Sequence, residues 1–175
     1  MFYKNYKQQT LGVMLSGLIA NLVVNYGDEV YAEPMVESGS FSLSIHEIRK
    51  SDAYGFGYYG SSRGNRSHAG TDYVIRPGEA VLSPVDGTIQ RLGIAYADDS
   101  FELVVIDTKS GDSIKILYVQ PIVEPGQDVK CGQLIGYAQD ITARYPGITA
   151  HVHVEIVTAT RGRIDPTTYT AGCSA

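Results

Sequence analysis

Between Thr71 and Thr158 the apolar residues come in short runs of three to eight residues, separated by glycine, proline and small polar residues. Runs of this length bounded by turn residues are typical of β-strands, and no segment offers a convincing long amphipathic helix. The sequence therefore predicts a mainly β, compact domain of antiparallel strands and hairpins with few or no long helices. The predicted strands cover residues 73–75, 80–82, 87–92, 101–108, 113–119, 134–138 and 151–158.

Two short segments of the chain repeat each other. Residues 77–81, PGEAV, return as residues 125–129, PGQDV, and each copy is followed by a glycine near another short strand, Gly87 or Gly132. Pro-Gly pairs favour turns because proline sets φ and glycine accepts positive φ, so two unrelated turns are one explanation. The repetition favours the other, a duplicated β-hairpin motif. Ser110-Gly111-Asp112 predicts a further hairpin turn.

The first 32 residues differ in character from the rest. Lys4 and Lys7 precede an apolar run from Leu11 to Val24, and residues 30–32, VYA, provide small or tolerated residues before a cleavage site. A membrane anchor is the alternative, but this interrupted run of 14 residues is shorter than the roughly 20 that span a bilayer. We therefore expect residues 1–32 to be a secretory signal peptide.

The predicted organisation continues with a polar leader at residues 33–44 and one folded domain at residues 45–175. The protein is then secreted or periplasmic, with no stable membrane anchor after signal cleavage. The net charge is −5 and the isoelectric point about 5.3. Nucleic-acid binding normally needs a basic patch, so nucleic acid is excluded as a partner.

Other parts of the chain leave alternatives open. Cys131 and Cys173 are the two cysteines; an oxidising compartment permits one bridge between them, but the sequence does not show whether they pair.

Residues 52–66 are rich in Gly, Ser, Tyr and Arg and predict a long surface loop. Such a loop is either a passive connection or a functional segment, in which case its side chains are candidate ligand contacts: Tyr54, Tyr58, Tyr59 and Arg63.

The histidines carry the chemical information. In the predicted strand HVHVEI, alternation places His151, His153 and Glu155 on one face and apolar residues on the other. A buried core histidine would be expected on the apolar face, and three ionisable groups are costly to bury together. His68 and Asp72, in HAGTD, add an imidazole and a carboxylate that suit Zn²⁺.

Three protein ligands would leave a fourth position on the metal open. An open zinc site lowers the pKa of a bound water to about 7 and polarises a neighbouring carbonyl. The implied reaction is amide hydrolysis. His46 lies apart from these motifs, and we expect it to be a surface or hydrogen-bonded residue.

The two histidine motifs together resemble the lysostaphin/LytM type of zinc metallopeptidase, peptidoglycan endopeptidases with the duplicated hybrid motif fold. In that family H-x-x-x-D supplies two zinc ligands and the second histidine of H-x-H supplies the third. The resemblance therefore implies one Zn²⁺ held by His68, Asp72 and His153. It also implies that His151 is a general base or transition-state stabiliser, and that the substrate is a peptidoglycan cross-link or another glycine-containing peptide.

The chain departs from that family at one catalytic position. The family has a Tyr-x-His sequence where this chain reads Tyr118-Val119-Gln120. Gln120 cannot take a proton, although its amide can donate a hydrogen bond to a developing oxyanion. Chemotaxin-like proteins of the same fold bind zinc, lack this histidine and act as signalling ligands; this chain resembles them in EIR, YPGI, HVH and DPT at residues 47–49, 145–148, 151–153 and 165–167.

Two functions follow from these resemblances. The first is a secreted zinc endopeptidase in which His151 acts beside the metal. The second is a catalytically silent zinc-binding module that binds a peptide, glycan or receptor. A lipoyl-type carrier, which the repeated hairpins also suggest, fits poorly because Lys130 lies beside Cys131 and is a poor candidate for a swinging lysine at a hairpin tip.

Overall fold

The computed structural model describes residues 46–98 and 101–170. These residues contain ten short strands. In these ranges helical structure is limited to two 3₁₀ turns, Ile141–Ala143 and Pro166–Thr168. The predicted signal peptide, leader and Cys173 lie outside the described residues. The strands are β1 (Thr71–Val74), β2 (Ala80–Leu82), β3 (Gly87–Ile94), β4 (Glu102–Asp107), β5 (Ser113–Leu117), β6 (Val119–Pro121), β7 (Asp128–Val129), β8 (Leu134–Ala138), β9 (His151–Thr158) and β10 (Gly162–Ile164).

The strands form two antiparallel sheets, which confirms the predicted fold class. The larger sheet has the order β1-β9-β5-β4-β3-β7, with β10 also paired to β9, and the smaller has the order β2-β8-β6. In the larger sheet Ile116 of β5 lies opposite both Val104 of β4 and Val154 of β9. These side chains pack in one fully buried core with Val81 and Ile135 of the smaller sheet. Burial of each such side chain contributes about 1.5–3 kcal/mol.

The repeated Pro-Gly segments are structurally equivalent, as the duplicated hairpin motif requires. Gly78 and Gly126 both have positive φ, 79° and 87°. The Gly78 amide donates to the Ala138 carbonyl and the Gly126 amide donates to the Ile89 carbonyl, each at 2.7 Å. Each turn thus closes on the second strand of the other copy, since β2 pairs with β8 and β7 pairs with β3. The two copies interlock.

One predicted strand is divided in two. Residues 113–119 cover β5 and the first residue of β6, separated by Tyr118, whose φ of 69° is in the left-handed region. A non-glycine residue seldom adopts this conformation, because its Cβ crowds the backbone. Tyr118 is the point at which the chain leaves the larger sheet and enters the smaller one. The period-2 pattern gave no sign of this break because side chains alternate on both sides of it.

The loop at residues 52–66 does more than connect its neighbours. The Asp72 amide donates to the Gly57 carbonyl, and the Gly57 amide donates to the Arg49 carbonyl, at 2.8 and 2.9 Å. A Cβ at Gly57 would lie 2.7 Å from the Arg49 carbonyl oxygen. Together with residues 47–49, the loop therefore covers the outer edge of β1, and glycine is required at position 57 because the backbones approach closely.

Within the described residues, no helix has the length and apolar character needed to cross a membrane.

A test of the smaller sheet is Gly136→Ala. A Cβ at Gly136 would lie 2.3 Å from the Gln120 carbonyl oxygen and 2.7 Å from Val119 Cγ1, so β6 and β8 must separate. We expect urea denaturation to show a free energy of unfolding lower by about 1–3 kcal/mol. The control is Gly93→Ala in β3, where the new methyl first meets the flexible Arg91 guanidinium, and a change within about 0.5 kcal/mol is expected. Equal losses in the two variants would contradict this account.

Candidate metal centre

Strand pairing brings the predicted site residues together. Asp72 of β1 lies directly opposite His153 of β9, and Val74 lies opposite His151. His68 precedes β1, and the chain between His68 and Asp72 passes close to β9 at Gly70. A Cβ at Gly70 would lie 2.1 Å from the Val154 carbonyl oxygen. The glycine in HAGTD therefore permits the approach that places His68 beside His153.

Three side-chain atoms converge at this place. His68 Nε2 is 3.0 Å from His153 Nδ1 and 3.2 Å from Asp72 Oδ1, and His153 Nδ1 is 2.8 Å from Asp72 Oδ1. Tetrahedral zinc ligands at about 2.0–2.1 Å from the ion stand about 3.3 Å apart. All three residues are buried. The spacing of the donor atoms fits a small cation held among them.

The outer nitrogen of each ligand histidine has its own partner. His68 Nδ1 is 2.9 Å from the Tyr58 carbonyl oxygen, which can only accept, so Nδ1 carries the hydrogen. His153 Nε2 is 3.3 Å from Glu155 Oε1 and donates to that carboxylate. The inner nitrogens, His68 Nε2 and His153 Nδ1, then carry no hydrogen and direct their lone pairs at the Asp72 carboxylate. Three acceptors facing one another need a cation or an added proton between them, which is the chemistry of a metal site.

Arg49 holds the other oxygen of the Asp72 carboxylate. Arg49 Nε and Nη2 both donate to Asp72 Oδ2, at 3.1 and 3.0 Å, and the two side chains are 2% and 3% exposed. Burial alone would raise the pKa of Asp72, but His153 and His68, which can donate to Oδ1 when their inner nitrogens carry a proton, hold it well below its usual range. The carboxylate is thus ionised, with Oδ1 directed at the histidines.

Glu155 is the outer partner of His153. It is buried, and its Oε2 accepts from Lys115 Nζ at 2.9 Å and Arg163 Nη2 at 3.1 Å. Burial would raise the pKa of Glu155, but hydrogen bonds from His153 and Lys115 lower it to about 2. Burial likewise disfavours charge on His153, yet its carboxylate partners raise the pKa of the ring. A metal ion and a proton therefore compete for His153 Nδ1.

Both faces of β9 are buried from His151 to Ile156. The apolar face, with Val152 and Val154, belongs to the core, while His151, His153 and Glu155 lie on the opposite face as the alternation predicted. The ionisable face is buried because each of its groups is paired, which offsets the cost of desolvation.

His151 faces the same cluster from one side. Its Nδ1 donates to the Thr149 carbonyl oxygen at 2.6 Å, and its Nε2 is 3.7 Å from Asp72 Oδ1. The Tyr118 ring packs edge-on against the imidazole, with ring centroids 5.5 Å apart. Burial lowers the pKa of His151 despite the nearby Asp72 charge. The ring therefore presents a bare Nε2 toward the position that a metal would occupy.

Gln120 is not brought into this cluster. It lies in β6 opposite Tyr137 of β8, and its side chain is exposed. In residues 46–98 and 101–170 it has no side-chain hydrogen bond. The ring beside His151 belongs instead to Tyr118, whose hydroxyl is 2.8 Å from that of Tyr96.

The remaining sequence candidates lie outside the cluster of three ligands. Tyr54 donates from its hydroxyl to the Pro146 carbonyl oxygen, and Arg63 Nη2 is 3.6 Å from Asp72 Oδ2. Tyr58 contributes its carbonyl, while its ring is exposed. His46 is half-buried and lies outside the cluster. Cys131 is disulfide-bonded.

Sequence reasoning missed the groups that orient the ligands. Arg49, the Tyr58 carbonyl and the Thr149 carbonyl have no local signature, because an arginine 23 residues from its carboxylate or a backbone oxygen carries no motif. The sequence pattern placed Glu155 on the correct face of the strand but gave it no role. Alternation along β9 was the one signal that pointed to it.

Comparison with known proteins gives a consistent result. The profile of peptidase family M23 matches residues 66–166. Leukocyte cell-derived chemotaxin-2 of Mus musculus is 35% identical over 133 residues, which cover 73% of this chain and 82% of that protein. The solved structure of the antimicrobial peptidase lysostaphin from Staphylococcus simulans superposes with a TM-score of 0.55 at 21% identity, over 71% of this chain and 50% of that one.

The catalytic domain of lysostaphin alone superposes with a TM-score of 0.53 at 22% identity, over 71% of this chain and 92% of that chain. This chain therefore spans about half of the longer lysostaphin chain and nearly all of its catalytic domain. These structural likenesses concern the fold, and the family profile concerns the sequence. The profile match confirms the resemblance seen in the histidine motifs: the chain belongs to peptidase family M23.

Proposed function

We propose that the protein is a secreted zinc-dependent metalloendopeptidase that hydrolyses amide bonds in peptidoglycan cross-link peptides or another glycine-containing peptide. The convergence of His68 Nε2, Asp72 Oδ1 and His153 Nδ1 within about 3 Å of one another, as three acceptors, carries this proposal. Membership of family M23 supports the peptidase class. The predicted signal peptide at residues 1–32 supports secretion or a periplasmic location.

His68, Asp72 and His153 would hold the zinc ion. A bound zinc ion supplies Lewis acidity toward a substrate carbonyl and lowers the pKa of water. Arg49, Tyr58 and Glu155 keep the three ligand atoms aimed inward, because each occupies the outer atom of one ligand. Outer partners of this kind set the tautomer and orientation of metal ligands.

His151 is the residue that would move a proton. With Nδ1 donating to the Thr149 carbonyl, Nε2 is free to accept a proton from a water or, once protonated, to donate one to a departing amine. Such general acid–base assistance is typically worth 10²- to 10⁴-fold in rate. The Tyr118 ring restricts the imidazole from its other side.

A peptide would reach this site across an aromatic rim. Tyr54, Phe56 and Tyr58 alternate with glycines and are 37%, 53% and 47% exposed. Tyr54 packs edge-on against Tyr145, which joins this loop to the segment that precedes β9. Exposed aromatic rings close to a buried polar cluster suit contact with an extended peptide.

A second function is favoured by Gln120. The position at which lysostaphin-type peptidases carry a catalytic histidine holds an exposed glutamine here, and chemotaxin-2 is 35% identical to this chain. The alternative is a catalytically silent zinc-binding module that binds a peptide, glycan or receptor. Zinc would then be retained for stability alone.

Metal binding is tested with His153→Ala. Removing one of three converging ligands should lower zinc affinity by more than the roughly 10- to 100-fold typical of an outer partner. Purified protein is dialysed against buffered zinc and its metal content measured by mass spectrometry. The matched control is His46→Ala, which should retain as much zinc as the wild type. Full zinc retention by His153→Ala would contradict the assigned ligands.

Catalysis is tested by digestion of purified cell-wall sacculi with zinc-loaded protein. We expect new amino termini, loss of activity after chelation and recovery on readdition of zinc. His151→Ala should lower turnover by about 10²- to 10⁴-fold because the proton acceptor is gone, while its zinc content stays that of the wild type. Wild-type protein that binds zinc stoichiometrically but releases no termini would refute the endopeptidase and favour the silent module.

Gln120→His separates the two functions directly. If the natural chain is a silenced peptidase, the new imidazole should convert undetectable sacculus cleavage into measurable cleavage. If the natural chain is active, measurable turnover is present before the change and remains after it. Gln120→Asn is the control, because it shortens the side chain without adding a group that titrates near neutral pH.

A further inference from the structure

We infer that Arg49 and Asp52 are positioning residues that join the Asp72 carboxylate to the backbone that orients His151. The catalytic consequence of this inference rests on the proposed peptidase function. The hydrogen-bonded connection itself does not, since it consists of contacts among this chain's own groups.

Arg49 donates hydrogen bonds to Asp72 from both its side chain and its backbone. Its Nε and Nη2 donate to Asp72 Oδ2, and its amide donates to the Asp72 carbonyl at 2.9 Å. The third guanidinium nitrogen, Nη1, turns away from Asp72. It is 2.6 Å from Asp52 Oδ2 and also donates to the Gly55 carbonyl at 2.9 Å. One planar fork thus bridges two carboxylates.

Asp52 continues the connection toward the strand that carries the histidines. Its Oδ2 accepts from the Thr149 amide at 3.1 Å, and its Oδ1 accepts from the Tyr54 amide at 2.8 Å. Thr149 is 97 residues away in sequence. Asp52 is therefore a side-chain link between the loop that follows Arg49 and the backbone just before β9.

Thr149 completes the connection with its carbonyl. That oxygen accepts from His151 Nδ1 at 2.6 Å, which leaves Nε2 without a hydrogen and directed toward Asp72 Oδ1. The amide of Thr149 is held by Asp52 while its carbonyl holds His151. Loss of the Asp52 carboxylate frees this peptide segment to turn, and the His151 tautomer loses its determinant.

Charge and burial explain why these residue types are needed. The Arg49 and Asp52 side chains are 2% and 13% exposed, so either charge left alone would be costly. Asp52 neutralises Arg49, and Arg49 in turn fixes Asp72 Oδ2 without adding net positive charge beside the metal position. Lysine cannot replace Arg49 because a single ammonium does not span acceptors on both sides.

The test is Asp52→Asn, which keeps the size of the side chain. It replaces Oδ2, which faces Arg49 Nη1 and the Thr149 amide, with an amide group that itself donates. Long-range ¹H–¹⁵N spectra of the metal-free protein, recorded where the ring is neutral, should show His151 protonated at Nδ1 in the wild type. In the variant the two ring nitrogens should move toward averaged shifts. In zinc-loaded protein kcat should fall about 10- to 100-fold with KM and zinc content unchanged.

The matched control is Asp112→Asn. Asp112 also accepts a backbone amide, that of Ala159, and lies at the turn before Ser113, which pairs with Val157 at the far end of β9 from His151. Its replacement should leave the His151 tautomer as in the wild type. Asp52→Asn that folds and keeps the Nδ1 tautomer would overturn the inference, as would the same shift in Asp112→Asn.

Arg49→Lys provides a second route if Asp52→Asn does not fold, and it should release the same tautomer. The spectroscopic measurement needs neither zinc nor turnover. A protein that cleaves nothing but shows the tautomer change would refute the proposed function and leave the positioning role standing. An active enzyme whose variants keep the wild-type tautomer would refute the positioning role and leave the proposed function standing.

Discussion

The carboxylate of Asp72 is the interaction on which the site depends. One oxygen faces two histidine nitrogens and the other is clamped by the Arg49 guanidinium, all of it buried. Removing one partner of a buried pair typically costs about 3–5 kcal/mol, because the other charge is left alone. The same carboxylate therefore bears on the stability of the β1 edge and on the chemistry at β9.

The fold supplies this carboxylate with its surroundings through strand register. Asp72 and His153 are direct partners across β1 and β9, and a shift of one residue would turn Asp72 toward the apolar face. Close backbone approaches at Gly57 and Gly70 bring the loop and His68 against this pair. The interlocked Pro-Gly hairpins pair β2 with β8 in the smaller sheet and β7 with β3 in the larger one, and both sheets contribute to one core.

The site has an inner set of acceptors and an outer set of groups that orient them. The outer partners are of mixed kind: a carbonyl for His68, a carboxylate for His153, a guanidinium for Asp72 and a second carbonyl for His151. Their common effect is to leave the inner atoms without hydrogens. The chain belongs to family M23 and shares the fold of lysostaphin, and its own contacts leave the exposed Gln120 outside the cluster.

The sequence alone determined the mainly β class, most strand positions, the duplicated turns, the face shared by His151, His153 and Glu155, and the candidate ligands. These features depend on local periodicity and on side-chain chemistry within a few residues. Only the tertiary structure decided the break at Tyr118, the exposed position of Gln120 and the contacts of Arg49 and Asp52. Contacts that span 23 to 97 residues, and a backbone turn that leaves side-chain alternation unchanged, have no counterpart in local pattern.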